Sequence, residues 1–428
     1  MIKEVIRQFR FATSFSFAVV IAVALGVGAS AGVLGVVNAV LFTRLSVPHA
    51  RGLFSAGIVT PGALVDRFSY PDILAINGNL PPNRIGVAAS DIVSVESGGH
   101  STGPRHLHVQ FVSEHILGML GISPREGRGF TDLDNKVGAQ PVALVSSAYW
   151  KRALNSASIA QLSPLELNGI QVNIIGVMPE SFGGLEPGLQ TDVMVPLVMQ
   201  QQIGYSGAAQ LDGIDGQRPW FLQESAHWLH ALYYSPDDIR GKQLLAGLNQ
   251  YVQAQVQGAE TVTTPKAERD AMERSHGVVE PFSYGIDGLR SRLRTPLQLA
   301  TSVSFLFTLI AAVSIVMLTL LRTIKRKPEL RLRLHLGASR LSITQLLLSE
   351  SLALTVTGVI ASIPIIILIH TLVSRWLLLD VTQVGAKSYF DPKMFFFLAV
   401  VTAALAVSAT LEPVMNFDRV RELNFLEK

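Results

Sequence analysis

Four stretches of this 428-residue chain lack a charged side chain for long enough to cross a lipid bilayer, and they constrain the fold more than any other feature. Residues 11–43 lie between Arg10 and Arg44, 295–321 between Arg294 and Arg322, and 351–374 before Arg375, while 394–411 is a shorter fourth run. A hydrocarbon layer about 30 Å thick takes about 17 to 25 helical residues, and inside it every backbone polar group must find its partner within the segment. The pattern therefore predicts transmembrane helices over 11–43, 295–321, 346–374 and 394–411. The first run also has features of a signal peptide, with Lys3, Arg7 and Arg10 ahead of it and Ala29, Ser30 and Ala31 resembling a cleavage site. Its apolar character continues to Phe42 without a polar c-region, so it reads as a retained span.

Basic residues set the orientation. The 322–340 connector carries Arg322, Lys325, Arg326, Lys327, Arg331, Arg333 and Arg340 against Glu329 alone, and the tail carries Arg419, Arg421 and Lys428. Residues 1–10, 322–345 and 412–428 are thereby cytoplasmic, and 44–294 and the 375–393 loop lie outside. Charged residues make up 16% of the chain, against about 25% in soluble domains. The net charge of +3 sits beside the apolar runs, which suits contact with membrane lipids and argues against nucleic acid. Without cysteine, the chain has no disulfide, thiolate metal site or cysteine nucleophile.

The large outside segment changes texture to turn residues between short apolar stretches. "PVALVSSAYW" (141–150), "IQVNIIGVMP" (170–179) and "HWLHALYY" (227–234) read as strands, and Leu244, Leu248 and Val252 mark a helix. A mixed α+β domain, with room for two subdomains, is expected, and 257–275 reads as a linker or loop. Candidate chemistry is sparse. His106 and His108, flanked by His100 and His115, and the pair His227 and His230 lack the H-E-x-x-H pattern of a zinc helix and read as strand histidines. "GYSGA" (204–208) lacks the closing glycine of G-x-S-x-G, and Asp132 and Asp134 begin no EF-hand. No catalytic or metal residue is expected. No G-x-x-x-x-G-K-[ST] loop occurs, so any nucleotide is bound by another chain.

The membrane runs say more. Gly28 and Gly32 form a G-x-x-x-G, a spacing that lets two helix backbones approach closely in lipid, and Asn38 is a polar amide that seeks an interhelical partner there. The connector "PELRLRLHLGASR" (328–340) alternates leucine with Arg or His, a strand-like period in a place where a strand has nothing to pair with. As a helix it carries Leu330 and Leu334 on one stripe, and Leu332 and Leu336 nearly opposite, with Glu329 and Arg333 as an i,i+4 pair. Pro328 suits the first turn, Gly337 can end the helix, and Ser339 or Ser342 can cap the next one. A merely topogenic basic loop on anionic lipid is the alternative.

"LGVGASAGVLGVVNAVLF" (25–42) resembles the first membrane helix of FtsX-like, MacB-type ABC transporter permeases, closest to one module of the acidobacterial duplicated orphan permeases. "VSEHILGMLGISPREGRGF" (112–130), "PVALVSSAYW", "LNGIQVNIIGVMPESF" (167–182) and "DVMVPL" (192–197) are similar to that family's periplasmic domain, and 326–351 to its cytoplasmic connector. The resemblance implies four transmembrane helices, with a large α+β periplasmic domain between helices 1 and 2. It implies that Glu329, Leu330, Arg333, Leu334, Gly337, Ala338, Ser339 and Arg340 couple to a separate ABC ATPase. That partner, in two copies, would bind ATP and Mg; this chain binds no cofactor and is not itself an enzyme. One module instead of two implies a separate second permease half, and a periplasmic adaptor and outer-membrane channel are further expected partners. The tail "DRVRELNFLEK" has Arg421 and Glu422 where the family commonly has Asp-Pro, which weakens the expectation of docking by the tail. Export of a peptide, antibiotic or lipid-linked molecule from the bacterial inner membrane is the expected activity. The alternatives are an FtsX-like regulator of a periplasmic cell-wall hydrolase and a membrane-anchored extracytoplasmic enzyme or sensor.

Overall fold

In the computed structural model of the chain, many strands between the first two apolar runs are buried on both faces, which is why they read as unbroken apolar stretches. Residues 142–145 and 193–196 are buried throughout. The structure describes residues 13–42, 44–80, 86–98, 106–186, 189–204, 214–215, 218–235, 238–261, 266–325, 328, 332, 336, 339–376, 396, 400 and 403–404. Two compact units are formed, one of Met1–Phe42 with Arg292–Lys428 and the other of Thr43–Ser291.

Among the described residues of the second unit, twelve strands share one sheet. In chain order they are β1 (Leu53–Val59), β2 (Leu64–Val65), β3 (Val87–Ser90), β4 (Val93–Gly98), β5 (His106–Val112), β6 (Glu126–Gly127), β7 (Val142–Val145), β8 (Leu165–Leu167), β9 (Ile170–Val177), β10 (Val193–Pro196), β11 (Leu229–Tyr234) and β12 (His276–Pro281). The continuous α-helices among the described residues of the chain are α1 (Thr13–Val37), α2 (Tyr70–Gly78), α3 (Ile116–Leu120), α4 (Ser147–Ala153), α5 (Met199–Ile203), α6 (Asp238–Thr261), α7 (Lys266–Glu273), α8 (Gly288–Lys325) and α9 (Arg340–Trp376).

The ladder closes on itself: β4 pairs with β5, β5 with β10, β10 with β7, β7 with β9, β9 with β8, and β8 with β4. Ala89↔Val112 joins β3 to this ring, and β11, β1 and β12 extend the sheet from there. Successive residues face different cores. Leu107, Val109, Ala143, Val145, Val193 and Val195 enter one cluster, whereas Val112, Val142, Leu144 and Met194 enter the other. Leu244, Leu248, Tyr251 and Val252 bring α6 onto the first core at helical spacing, and Ile116, Leu117 and Leu120 bring α3 onto the second. A side chain as buried as Leu248 contributes about 1.5–3 kcal/mol through removal from water.

Local signals place the turns. Asn168 and Gly169 both have positive φ (46° and 82°), the type I′ chemistry that joins β8 to β9 in a tight hairpin. Ser69 and Asp72 form a reciprocal capping box at α2. Two expectations are corrected. The stretch 141–150 is not one strand: β7 ends at Val145, and Ser146 Oγ accepts the Tyr149 N–H at 3.1 Å to start α4. The stretch 257–275 is not a structureless linker where it is described. α6 runs to Thr261, and Lys266–Glu273 is α7, built from good helix formers and closed by Ser275 Oγ donating to the Ala271 carbonyl at 2.8 Å.

Among the described residues of the first unit, three helices contain a stretch long and apolar enough to cross a membrane: Phe17–Val37, Leu293–Ser314 and Leu352–Val373. α8 starts well before the uncharged run and carries Pro296 inside it, and α9 carries Pro364. The fourth expected span, 394–411, lies outside the described residues except at 396, 400 and 403–404.

Candidate functional site

The membrane helices meet where the sequence is smallest. Gly28 and Gly32 of α1 are buried against α9. A Cβ at Gly28 would lie 2.7 Å from Ile365 Cγ2, and one at Gly32 would lie 2.9 Å from Ile369 Cβ. Gly358 answers from the other side, since a Cβ there would lie 2.6 Å from Val23 Cβ. Val19, Val23, Val27 and Ala31 of α1 form a core with Leu354 and Ile366 of α9 around this contact. Asn38 is half-buried and begins a π-helical turn, Asn38–Phe42, that follows α1.

A second contact was not singled out from the sequence. Ser30 is 1% exposed, its Oγ donates to the Ser304 carbonyl of α8 at 3.1 Å, and it lies 2.5 Å from Thr308 Oγ1. Thr308 Oγ1 also donates to the Ser304 carbonyl, at 3.0 Å. The available signal was a hydroxyl between two glycines in an apolar run, the type of residue that links helices in lipid.

The connector is described only in part. Glu329, Leu330, Arg333, Leu334, Gly337 and Ala338 lie outside the described residues. Pro328 and Leu332 are helical, and the Leu336 N–H donates to the Leu332 carbonyl at 3.0 Å, the i→i−4 bond of an α-helix. Leu332 is 62% and Leu336 79% exposed, so one of the two expected stripes faces outward. Ser339, not Ser342, caps α9: its Oγ accepts the Ser342 N–H at 3.2 Å, and Arg340 is the first residue of that helix.

In the sheet unit, the histidines and acids singled out above have mainly structural partners. His106 and His108 are two apart on β5, and the His108 N–H donates to Asp192 Oδ2 at 3.1 Å. His230 Nε2 lies 2.9 Å from Asp91 Oδ1, and Arg67 donates to Asp91 Oδ2 at 2.7 Å. The Asp91 carboxyl is held down at about 2: burial opposes this, but the His230 hydrogen bond and the His230 and Arg67 charges outweigh it. Asp72 has the Tyr251 hydroxyl donating at 2.8 Å and His227 Nε2 at 3.4 Å. Its carboxyl is lowered against the effect of burial by hydrogen bonds from His227, Ser69 and Tyr251, while His227 is raised chiefly by its bond to Asp72. Asp134 accepts from Arg128 and Thr131 and is held at about 2, chiefly by the Arg128 hydrogen bond. Gly204 is the left-handed C-cap of α5, while 205–208 and His100 lie outside the described residues.

Two family models match the chain: a MacB-like periplasmic core domain over residues 16–220 and an FtsX-like permease C-terminal domain over 301–417. No curated protein matches in sequence. Solved structures that resemble the chain include a permease-protein domain from Porphyromonas gingivalis, at 14% identity and TM-score 0.38, covering 58% of this chain and 98% of that one. The extracellular domain of the noncanonic ABC-type transporter YknZ from Gram-positive bacteria matches at 14% identity and TM-score 0.34, covering 49% and 95%. The periplasmic region of MacB from Actinobacillus actinomycetemcomitans matches at 9% identity and TM-score 0.35, covering 58% and 94%. The family assignment rests on the two family models, the first spanning most of α1 and the sheet unit as far as residue 220, the second α8 from residue 301 and α9. The chain belongs to the FtsX-like, MacB-type ABC transporter permeases.

Proposed function

We propose that this permease is mechanotransmitting: a partner ATPase moves the 322–345 connector, and α1 and α8 carry the motion to the periplasmic domain. The observation that carries this reading is the outward leucine pair, Leu332 and Leu336, joined by an i→i−4 hydrogen bond in a connector whose sequence is rich in arginine and lysine. Two leucines so exposed on a basic surface segment are suited to a protein groove, with neighbouring arginines to pair with acidic groups around it. Glu329, Leu330, Arg333, Leu334, Gly337, Ala338, Ser339 and Arg340 complete the docking segment on this reading. The complex contains two ATPase subunits, which bind ATP and Mg, and a second permease half, and it sits in the inner membrane. Export of a peptide, antibiotic or lipid-linked molecule is the activity it serves, with an adaptor and outer-membrane channel downstream.

The test is co-purification. The tagged full chain, extracted in mild detergent from its native host, is expected to bring down an ATPase subunit. Leu332→Asp with Leu336→Asp is expected to abolish that recovery, while Leu299→Asn on the exposed face of α8 leaves it unchanged. Loss of the ATPase from neither variant, or no ATPase with the unsubstituted chain, refutes the coupling assignment. A cell-wall hydrolase in the same sample would replace export by regulation.

A further inference from the structure

The sheet unit contains a cavity of about 480 Å³ that the permease reading does not use, with Leu117, Met119, Phe130 and Tyr233 in its wall beside Glu114 and His115. Its size falls within the range of small-ligand sites, about 300–1,000 Å³, and its apolar lining with few polar groups is typical of them. Tyr233 is 4% exposed, and its hydroxyl has no hydrogen-bond partner among the described residues. A buried donor of this kind is costly unless it finds an acceptor, which a ligand entering the cavity would supply.

Beside that wall, three metal-ligating side chains converge. His115 Nε2 stands 3.3 Å from Asp132 Oδ1 and 4.0 Å from Glu114 Oε1, and one ligand atom from each residue lies within 4.8 Å of the other two. Around a tetrahedral ion with bonds of about 2.0–2.2 Å, ligand atoms stand about 3.3–3.6 Å apart. Small side-chain movements therefore complete the set. The surroundings already orient it. Asn135 Nδ2 donates to Glu114 Oε2 at 2.6 Å, and Asn135 Oδ1 accepts the Val198 N–H at 3.3 Å. The turn that bears Asp132 is tied by Asp134, which accepts the Thr131 N–H at 2.8 Å and Arg128 Nη1 at 2.6 Å.

We propose that Glu114, His115 and Asp132 hold a divalent transition-metal ion of the zinc class, with its remaining coordination position open to a ligand in the adjoining cavity. Three protein ligands are the number that leaves a position free. An imidazole among them favours zinc and its neighbours over calcium or magnesium, which prefer oxygen alone. The site needs no ATPase and stands or falls independently of the coupling assignment.

The experiment titrates Zn²⁺ into the full chain, purified in detergent without a polyhistidine tag and stripped with chelator, against a fluorescent chelator as competitor. One equivalent is expected to bind. His115→Ala and Asp132→Ala are each expected to weaken it by about 100-fold or more. Asn135→Ala, which keeps all three ligands but releases Glu114, is expected to weaken it by about 10- to 100-fold. Co²⁺ in place of Zn²⁺ should give the visible absorption of a low-coordinate centre, lost in His115→Gln, and metal-free melting curves confirm that each variant is folded. An isotherm unchanged in the His115→Ala/Asp132→Ala double variant overturns the proposal and leaves the three residues as a surface ion-pair cluster. Displacement of Zn²⁺ by Ca²⁺ at equal concentration overturns the assignment of metal class.

Discussion

Gly28→Ala tests how the membrane helices are held. The added Cβ would stand 2.7 Å from Ile365 Cγ2, 2.8 Å from Ile365 Cβ and 3.2 Å from the Ser362 carbonyl oxygen, whereas carbon atoms rest about 3.5–4.0 Å apart. Ile365 is branched at the atom being struck and stiff at χ1, so it cannot swing aside; α1 and α9 must part by about 1 Å. Overpacking of this kind costs about 1–3 kcal/mol, while alanine gains about 1 kcal/mol over glycine in helix propensity. The single substitution therefore nets about 0–2 kcal/mol of destabilisation, too little to be decisive alone. A cycle with Ile365→Gly separates the two effects, because in that background both obstructing Ile365 carbons are gone and the propensity gain is left to dominate. The expected coupling is the overpacking cost itself, about 1–3 kcal/mol. The chain has no cysteine, so Leu25→Cys and Ile360→Cys, both exposed, can carry a fluorophore pair that reports separation of α1 from α9 during SDS titration in micelles. A coupling energy of zero within error would refute the close-packed contact.

Ser30→Ala removes the hydroxyl that joins α1 to α8 and should cost about 0.6 kcal/mol, at most about 1.7, in an equivalent titration with labels on α1 and α8; Thr308→Val should add little in that background. The His227–Asp72 pair predicts a pH optimum in the stability of the sheet unit. The lowered Asp72 contributes fully above its unfolded value of about 4 and loses that contribution as pH falls through its folded value; the raised His227 contributes fully below about 6.5 and loses it as pH rises through its folded value. Melting of the full chain should show this contribution greatest between about pH 4 and 6.5. His227→Gln should flatten the decline above that window, by a small margin because the His227 side chain is 48% exposed. A decline of the same slope in the variant would assign it to other groups.

The apolar spans were legible because lipid imposes a length and a composition that few other environments demand. Gly28 and Gly32 could be read as a contact face, but nothing in their spacing names α9 as the opposing helix or points to Gly358. Strand content was visible in residues 170–179, whereas the ring was not. The pairing Val193↔Val109 joins segments far apart in sequence, and a strand buried on both faces has no alternation to show which side meets which core. Ser146 illustrates the finer failure: apolar residues continue on both sides of it, and only its capping hydrogen bond divides β7 from α4. The approach of Asp132 to His115 was similarly invisible, since it depends on how the turn after β6 folds back.

The first and last strands of the sheet unit lie side by side and antiparallel, from Phe54↔Pro281 to Val59↔His276. The incoming segment is bonded to the outgoing one just before that ladder, with the Leu45 N–H donating to the Ser283 carbonyl at 2.9 Å and the Arg44 guanidinium over the Tyr284 ring. Both leads therefore leave the same end of one hairpin-like seam. Drawn together in one direction, they load the seam as a single cable, and its cross-links bear almost none of the tension. Drawn apart, they peel it open one rung at a time, at low force and from the end nearest the leads. The unit is thus built to tolerate a shared tug and to yield to a differential one.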